Sequence, residues 1–148
     1  DNSHLNEKGF WDIAKHSHNP LVATHSNAHQ LCPHTRNLTN KQLDAIKETK
    51  GMVGVNFAPA FLRPDGKMIA ETDIQLIVDH FKFLIDYLGE ECVGFGSDFD
   101  GAMMPKKLSS VLGMRLLIEL MVNQGFSEDL MKKLCHQNWL SLIKRTLT

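Results

Sequence analysis

The sequence predicts an α/β fold: four parallel strands alternating with helices, the C-terminal half of a (β/α)8 TIM-type barrel spanning residues 1–148. Three observations carry this reading. Short runs that are apolar throughout, instead of alternating, are the mark of strands covered on both faces. Each run is followed by a stretch with helical spacing, which means βα units and a parallel sheet. Such sheets grow in one direction and close at eight strands and about 250 residues, whereas this chain has 148 residues and room for four strands. It therefore reads as the second half of a longer domain, because four strands with both edges open would expose unpaired backbone.

The elements follow in order. A stub at Asp1-Asn2-Ser3 leads to His4 as the end of a first strand, and Glu7–Lys15, with Phe10, Trp11 and Ile13, forms the first helix. Leu21-Val22-Ala23-Thr24 is the second strand, introduced by Asn19-Pro20 and closed by His25. Thr39-Asn40-Lys41-Gln42 fits a capping box, opening a helix with Leu43 and Ile46 on its apolar stripe and Gly51 beyond its end. Met52–Phe57 is the third strand. Thr72 is placed to cap a helix carrying Ile74, Ile77, Phe81, Leu84, Ile85 and Leu88, which Gly89 ends. Cys92–Gly96 is the fourth strand, with helices at Val111–Val122 and, after Ser127, from Glu128 towards Leu147. The loops Ser26–Leu38 and Ala58–Glu71 are each longer than the usual two to six residues or so of such units, and binding is built on long loops at one face of a rigid sheet.

Composition removes several function classes. A formal net charge of −1 argues against nucleic acid as a partner, and 43% hydrophobic with 22% charged residues excludes disorder. No apolar run reaches the roughly 20 residues of a membrane span, and the opening residues are not those of a secretory signal. Cys32, Cys92 and Cys135 form an odd set without a CxxC pair, which is read as reduced, mostly buried thiols in a cytoplasmic protein. Of eight histidines, five fall between positions 16 and 34.

His4 and His25 lie 21 residues apart, one βα unit, and each would sit at the carboxyl end of its strand, the edge where parallel α/β folds hold their sites. Neighbouring strands are about 4.8 Å apart, a gap that two zinc–nitrogen bonds can bridge, so the pair could share a metal; the plain alternative is two polar residues at loop starts. Asp98, after Val-Gly-Phe-Gly-Ser, would face the same mouth or simply cap a turn. Asp98-Phe99-Asp100-Gly101 fails as a calcium loop, since its glycine comes too early and Ser109 occupies the terminal glutamate position. Gly94 and Gly96 lack the third glycine of a dinucleotide site. Arg36 could offer a bidentate guanidinium to a carboxylate or be a solvated loop arginine. His29, His34 and Cys32 read as loop residues, His16 and His18 as helix-end residues, and the Met-rich stretch Gly113–Met121 as packing.

Taken together, Ser-His4-Leu-Asn, Ala-Thr-His25-Ser-Asn-Ala, Arg36-Asn37-Leu, Val55-Asn56-Phe57 and Val93-Gly-Phe-Gly-Ser-Asp98-Phe-Asp-Gly101 resemble the membrane (renal) dipeptidase family, in order and from end to end of the chain. The resemblance implies a zinc-dependent dipeptidase on a (β/α)8 barrel with two zinc ions per complete barrel. It implies that His4 and His25 ligate zinc, that Asp98 handles protons at the scissile amide, and that Arg36 grips the substrate's free carboxylate. Phe61 matches, more loosely, an aromatic residue near the substrate. The family's His-x-Asp motif and metal-bridging glutamate are not in this chain, so the N-terminal half of the barrel is an implied partner, and an isolated fragment is expected to be inactive. A zinc site wants three protein ligands and an open position, which two histidines do not complete. Three other readings stay open: a non-catalytic metal- or ligand-binding half-barrel, a homodimer of half-barrels, and a binuclear amidohydrolase acting on another amide or lactam.

Overall fold

The computed structural model describes residues 1–147. One sheet of three parallel strands, β1 (Val22–Ala23), β2 (Met52–Val55) and β3 (Val93–Phe95), runs in the order β1-β2-β3. Val22 pairs with Met52, and Val53 pairs with Val93. Every residue of β2 is buried, as expected of a central strand with elements packed on both faces.

The expected fourth strand, the stub before His4, is not a strand. Asn2 lies beside β1, and its backbone N–H and side-chain amide both donate to Val22 O, at 2.7 and 3.1 Å. The next ladder position, Thr24 N, is taken by the Asp1 carboxylate at 3.0 Å, so a side chain replaces the second rung. One backbone bond does not make a strand, and the sheet therefore has three among the described residues.

The helices are α1 (Glu7–His16), α2 (Asn40–Glu48), α3 (Pro59–Leu62), α4 (Gln75–Leu88), α5 (Gly113–Asn123), α6 (Glu128–Lys132) and α7 (Asn138–Thr146). The capping box at Thr39 and Gln42 forms in both directions, and Ser127 caps α6 through Leu130 N. Thr72 does not cap α4: its hydroxyl donates to Ile69 O at 2.6 Å, and the Asp73 carboxylate receives Gln75 N instead. Val111 and Leu112, each 75% exposed, lie outside α5. The last predicted helix is interrupted by a π-helical segment, Lys133–Gln137, between α6 and α7. The core joins Leu43 and Ile46 of α2, Ile77, Phe81 and Leu84 of α4, and Leu117 and Met121 of α5 to Val53, Val55 and Val93 of the sheet. Leu117 and Met121 bear out the packing role of the Met-rich stretch.

Two glycines decide where the chain can run after β1. A Cβ built on Gly54 would lie 2.1 Å from Thr24 O, and one on Gly96 would lie 2.0 Å from the same carbonyl. Only bare backbone lets Thr24 cross the ends of β2 and β3 and deliver His25. Gly96→Ala is therefore expected to lower stability by about 2 kcal/mol, because a backbone atom and not a flexible side chain must yield. A urea midpoint equal to that of the unmodified protein would contradict this account.

Beside β3, Asn138 Nδ2 donates to Val93 O at 2.8 Å and Trp139 Nε1 to Phe95 O at 3.0 Å. Gly96 N donates to Val55 O of β2, so by alternation the Val93 and Phe95 carbonyls point away from β2.

Candidate metal centre

The stub and the end of β1 carry His4 and His25 to one place. Their Nε2 atoms are 2.8 Å apart, and the ring centres are 4.8 Å apart at a tilt of 55°. His25 is held from behind: its backbone N–H donates to Ser3 Oγ at 3.1 Å, and its Nδ1 is 2.8 Å from Thr24 Oγ1. Burial lowers the pKa of His25 below the ordinary value; the nearby Asp98 carboxylate opposes this, and His4 and Arg36 add to it. All four groups therefore act within one field.

Asp98 lies just past β3, with a backbone φ of 59° in the left-handed region that aspartate tolerates better than most residues. Its carbonyl accepts from Gly101 N and Ala102 N, which is the turn expected of Asp-Phe-Asp-Gly. Its Oδ2 accepts from Asn56 Nδ2 at 3.1 Å, and Asn56 Nδ2 also approaches the His25 carbonyl at 3.5 Å. Asn56, just past β2, is itself locked by Asn27 Oδ1 on its backbone N–H and by Ala58 N on its Oδ1. It thus ties the His25 loop to Asp98.

Arg36 is half-buried, its guanidinium carbon 5.3 Å from the centre of the Phe61 ring. Burial lowers its pKa, with Asp98 opposing. Arg36 Nη1 is buried and has no hydrogen-bond partner among the described residues. An orphaned cationic donor of this kind calls for an anion, since leaving it unpaired costs more than an ordinary hydrogen bond contributes. Phe61 O accepts from both Asn27 Nδ2 and Asn37 Nδ2, so ring and guanidinium are set by a buried amide network.

The loop residues His34 and Cys32 have packing and hydrogen-bonding partners of their own. His34 packs against Phe61 with ring centres 4.8 Å apart, and Cys32 is buried and donates to Ala60 O. Cys135 is exposed, unlike the buried thiols expected from the sequence. Among the described residues no group of three or more His, Cys, Asp or Glu side chains is arranged to hold a metal. His4 and His25 are a converging pair, two donors of the three or four that zinc takes. Two imidazole nitrogens on a tetrahedral zinc lie about 3.3 Å apart, so the observed pair needs only a small opening. The donor chemistry fits.

The sequence profile described as "Membrane dipeptidase (Peptidase family M19)" matches residues 1–148. The chain belongs to the membrane dipeptidase family. A metallo peptidase from Rhodobacter sphaeroides, crystallised with a phosphinate mimic of the dipeptide L-Ala-D-Ala, superposes with a TM-score of 0.96 at 55% identity, covering 99% of this chain and 42% of that one. The probable dipeptidase PvdM from Pseudomonas aeruginosa shares the fold, with a TM-score of 0.83 at 21% identity over 95% of this chain and 48% of its own. Among curated sequences, the "Uncharacterized protein in pqqA 5'region" of Klebsiella pneumoniae is 50% identical over 97% of this chain and 53% of its own length. The dipeptidase tcpJ of Claviceps purpurea (strain 20.1) is 29% identical over 97% of this chain and 33% of its own. The chain thus spans from a third to about half of the length of these relatives. No described helix is long and apolar enough to cross a membrane.

Sequence reasoning singled out His4, His25, Asp98, Arg36 and Phe61; the structure brings His4 against His25 and Arg36 against Phe61, with Asp98 close enough to act on both His25 and Arg36. It missed Thr24 and Asn56, which bond to His25 and Asp98, and Asp1, which bonds to Thr24. A signal was available for Asn56 alone: a polar residue directly after an apolar strand, at the same sheet edge as the histidines.

Proposed function

We propose that this chain is the C-terminal part of a (β/α)8 metallo-dipeptidase, and that it supplies half of a binuclear zinc site which hydrolyses dipeptides. His4 and His25 hold one metal ion through Nε2, and the remaining ligands come from a preceding segment, the N-terminal half of the same barrel. The observation that carries this reading is the 2.8 Å convergence of the two imidazoles beside Asp98 and Arg36. The family match and the dipeptide mimic bound by the Rhodobacter sphaeroides relative support it.

Zinc, when bound there, supplies Lewis-acid polarisation of the scissile carbonyl and of the attacking water. The chain's own residues do the rest. Arg36 pairs its unpartnered Nη1 with the substrate's C-terminal carboxylate, while Phe61 beneath the guanidinium keeps its plane fixed. A longer peptide would carry that charge out of reach, which restricts the site to dipeptides. Asp98, with Oδ2 held by Asn56, uses Oδ1 to take a proton from the water and pass it to the leaving amine.

The test uses the full-length protein, with zinc per chain and turnover of L-Ala-D-Ala as readouts. His4→Ala and His25→Ala are expected to lose zinc and activity together. Arg36→Ala is expected to raise KM about ten- to a hundredfold, the value of a charge-assisted hydrogen bond, with zinc retained. Equal loss of zinc and substrate affinity in Arg36→Ala would remove the carboxylate role. Zinc-loaded protein that turns over a lactam or an ester but no dipeptide would replace the peptidase reading with that of another amidohydrolase.

A further inference from the structure

Behind His25 lies a hydrogen-bond relay whose polarity can be read from donor counting alone. Asp1 Oδ1 accepts from Ser3 N at 3.1 Å, Ser3 Oγ at 2.8 Å and Thr24 N at 3.0 Å. Thr24 Oγ1 donates to Asp1 Oδ2 at 2.8 Å. A threonine hydroxyl has one hydrogen, and here the carboxylate receives it, because a carboxylate only accepts. The contact of 2.8 Å between Thr24 Oγ1 and His25 Nδ1 must then have the ring as donor. A neutral imidazole with its proton on Nδ1 has a lone pair on Nε2, and that is the atom facing His4.

We infer that Asp1 and Thr24 are positioning residues that fix His25 as the Nδ1–H tautomer and so aim an unprotonated Nε2 at the metal. The inference rests on the metal reading proposed above and adds the residues that set the state of one ligand. The geometry behind it is specific. The Gly54 and Gly96 surfaces let the Thr24 backbone cross the strand ends, and the Thr24 backbone N–H is pinned to Asp1 through Oδ1 while its hydroxyl reaches Oδ2. Thr24 is thereby held by both of its donors and has only acceptor capacity to offer His25. Ligand histidines are commonly oriented by such outer partners, whose removal typically lowers metal affinity about 10- to 100-fold.

Asp1→Asn tests the polarity with almost no change of shape. The new amide can donate to Thr24 Oγ1, which frees the hydroxyl hydrogen to point at His25 Nδ1 and drives the ring proton to Nε2. Long-range 1H–15N correlation spectra of the metal-free full-length protein at neutral pH read the tautomer directly. The His25 signals are identified by their absence in His25→Ala. The expected result is an Nδ1–H ring in the unmodified protein, a shift towards Nε2–H in Asp1→Asn, and a zinc affinity lowered about 10- to 100-fold. Thr24→Val should lower zinc affinity by a similar factor and Thr24→Ser should restore it, which a purely steric role would not produce. An Nε2–H ring in the unmodified protein overturns the inference. So does Asp1→Asn with tautomer and zinc affinity both unchanged. His25→Ala with undiminished zinc affinity would overturn the metal reading itself, a result distinct from any tautomer found.

Discussion

Asp98→Asn is expected to lower kcat about 10²- to 10⁴-fold, the usual contribution of a positioned acid–base group, while zinc content stays unchanged. The substitution isolates the proton function because its other demands are still met. Asparagine also adopts the left-handed backbone found at position 98, with φ of 59°. Its amide oxygen can accept from Asn56 Nδ2 as the carboxylate oxygen does now. The turn closed by Gly101 N and Ala102 N uses the backbone carbonyl and is untouched. What disappears is the ability to carry a proton between water and amine. Turnover within tenfold of the unmodified protein would remove Asp98 from the chemistry, and loss of zinc would make it a ligand instead.

Below pH 6.5 the folded protein is expected to lose about 3 kcal/mol of stability through His80 alone. His80, on α4, is buried beneath the loop that carries Arg36. Its Nδ1 accepts from Ala28 N at 3.2 Å, so the neutral ring keeps its proton on Nε2, 3.4 Å from Leu62 O. Burial pushes its pKa down to about 4; the Leu62 carbonyl and Asp79 oppose that shift. A group depressed in the fold favours the native state when neutral. The contribution is therefore complete above the unfolded value of 6.5 and is lost as pH falls from there towards 4. The second proton would arrive at Nδ1, against the Ala28 N–H, and so loosen Ala28 at the start of the loop that carries Arg36. Urea unfolding at pH 7.5 and 4.5, compared with His80→Gln, isolates the effect, because the two proteins differ in no other ionisable group. Parallel loss of stability in the two would refute it.

The placement of His4, His25 and Asp98 at a common edge was legible because parallel α/β sheets bring the carboxyl ends of all their strands to one side. The capping box at Thr39 was legible because both partners lie within four residues. What escaped was non-local or competitive. Asp1 reaches Thr24 across 23 residues, and Asn56 reaches Asp98 across 42, and no periodicity encodes either meeting. Thr72 and Asp73 are both competent caps, and only the path of the chain decides that Asp73 serves α4. A first strand was expected because His4 stands one βα unit before His25, but Asp1 offers Thr24 N a carboxylate where a ladder needs a carbonyl. The π-helical segment at Lys133–Gln137 shifts the helical phase within an otherwise continuous apolar pattern, so the sequence reads straight through it.

That phase shift has an effect at the rim of the sheet. It precedes Asn138 and Trp139, whose side chains satisfy two outward carbonyls of β3, while Asn2 does the same for β1 through Val22. Unpaired strand margins normally invite a stranger to add itself in register and seed aggregation. Here amide and indole groups already occupy those acceptors, so this rim, before the proposed remaining strands displace them, offers a poor template for indiscriminate self-association.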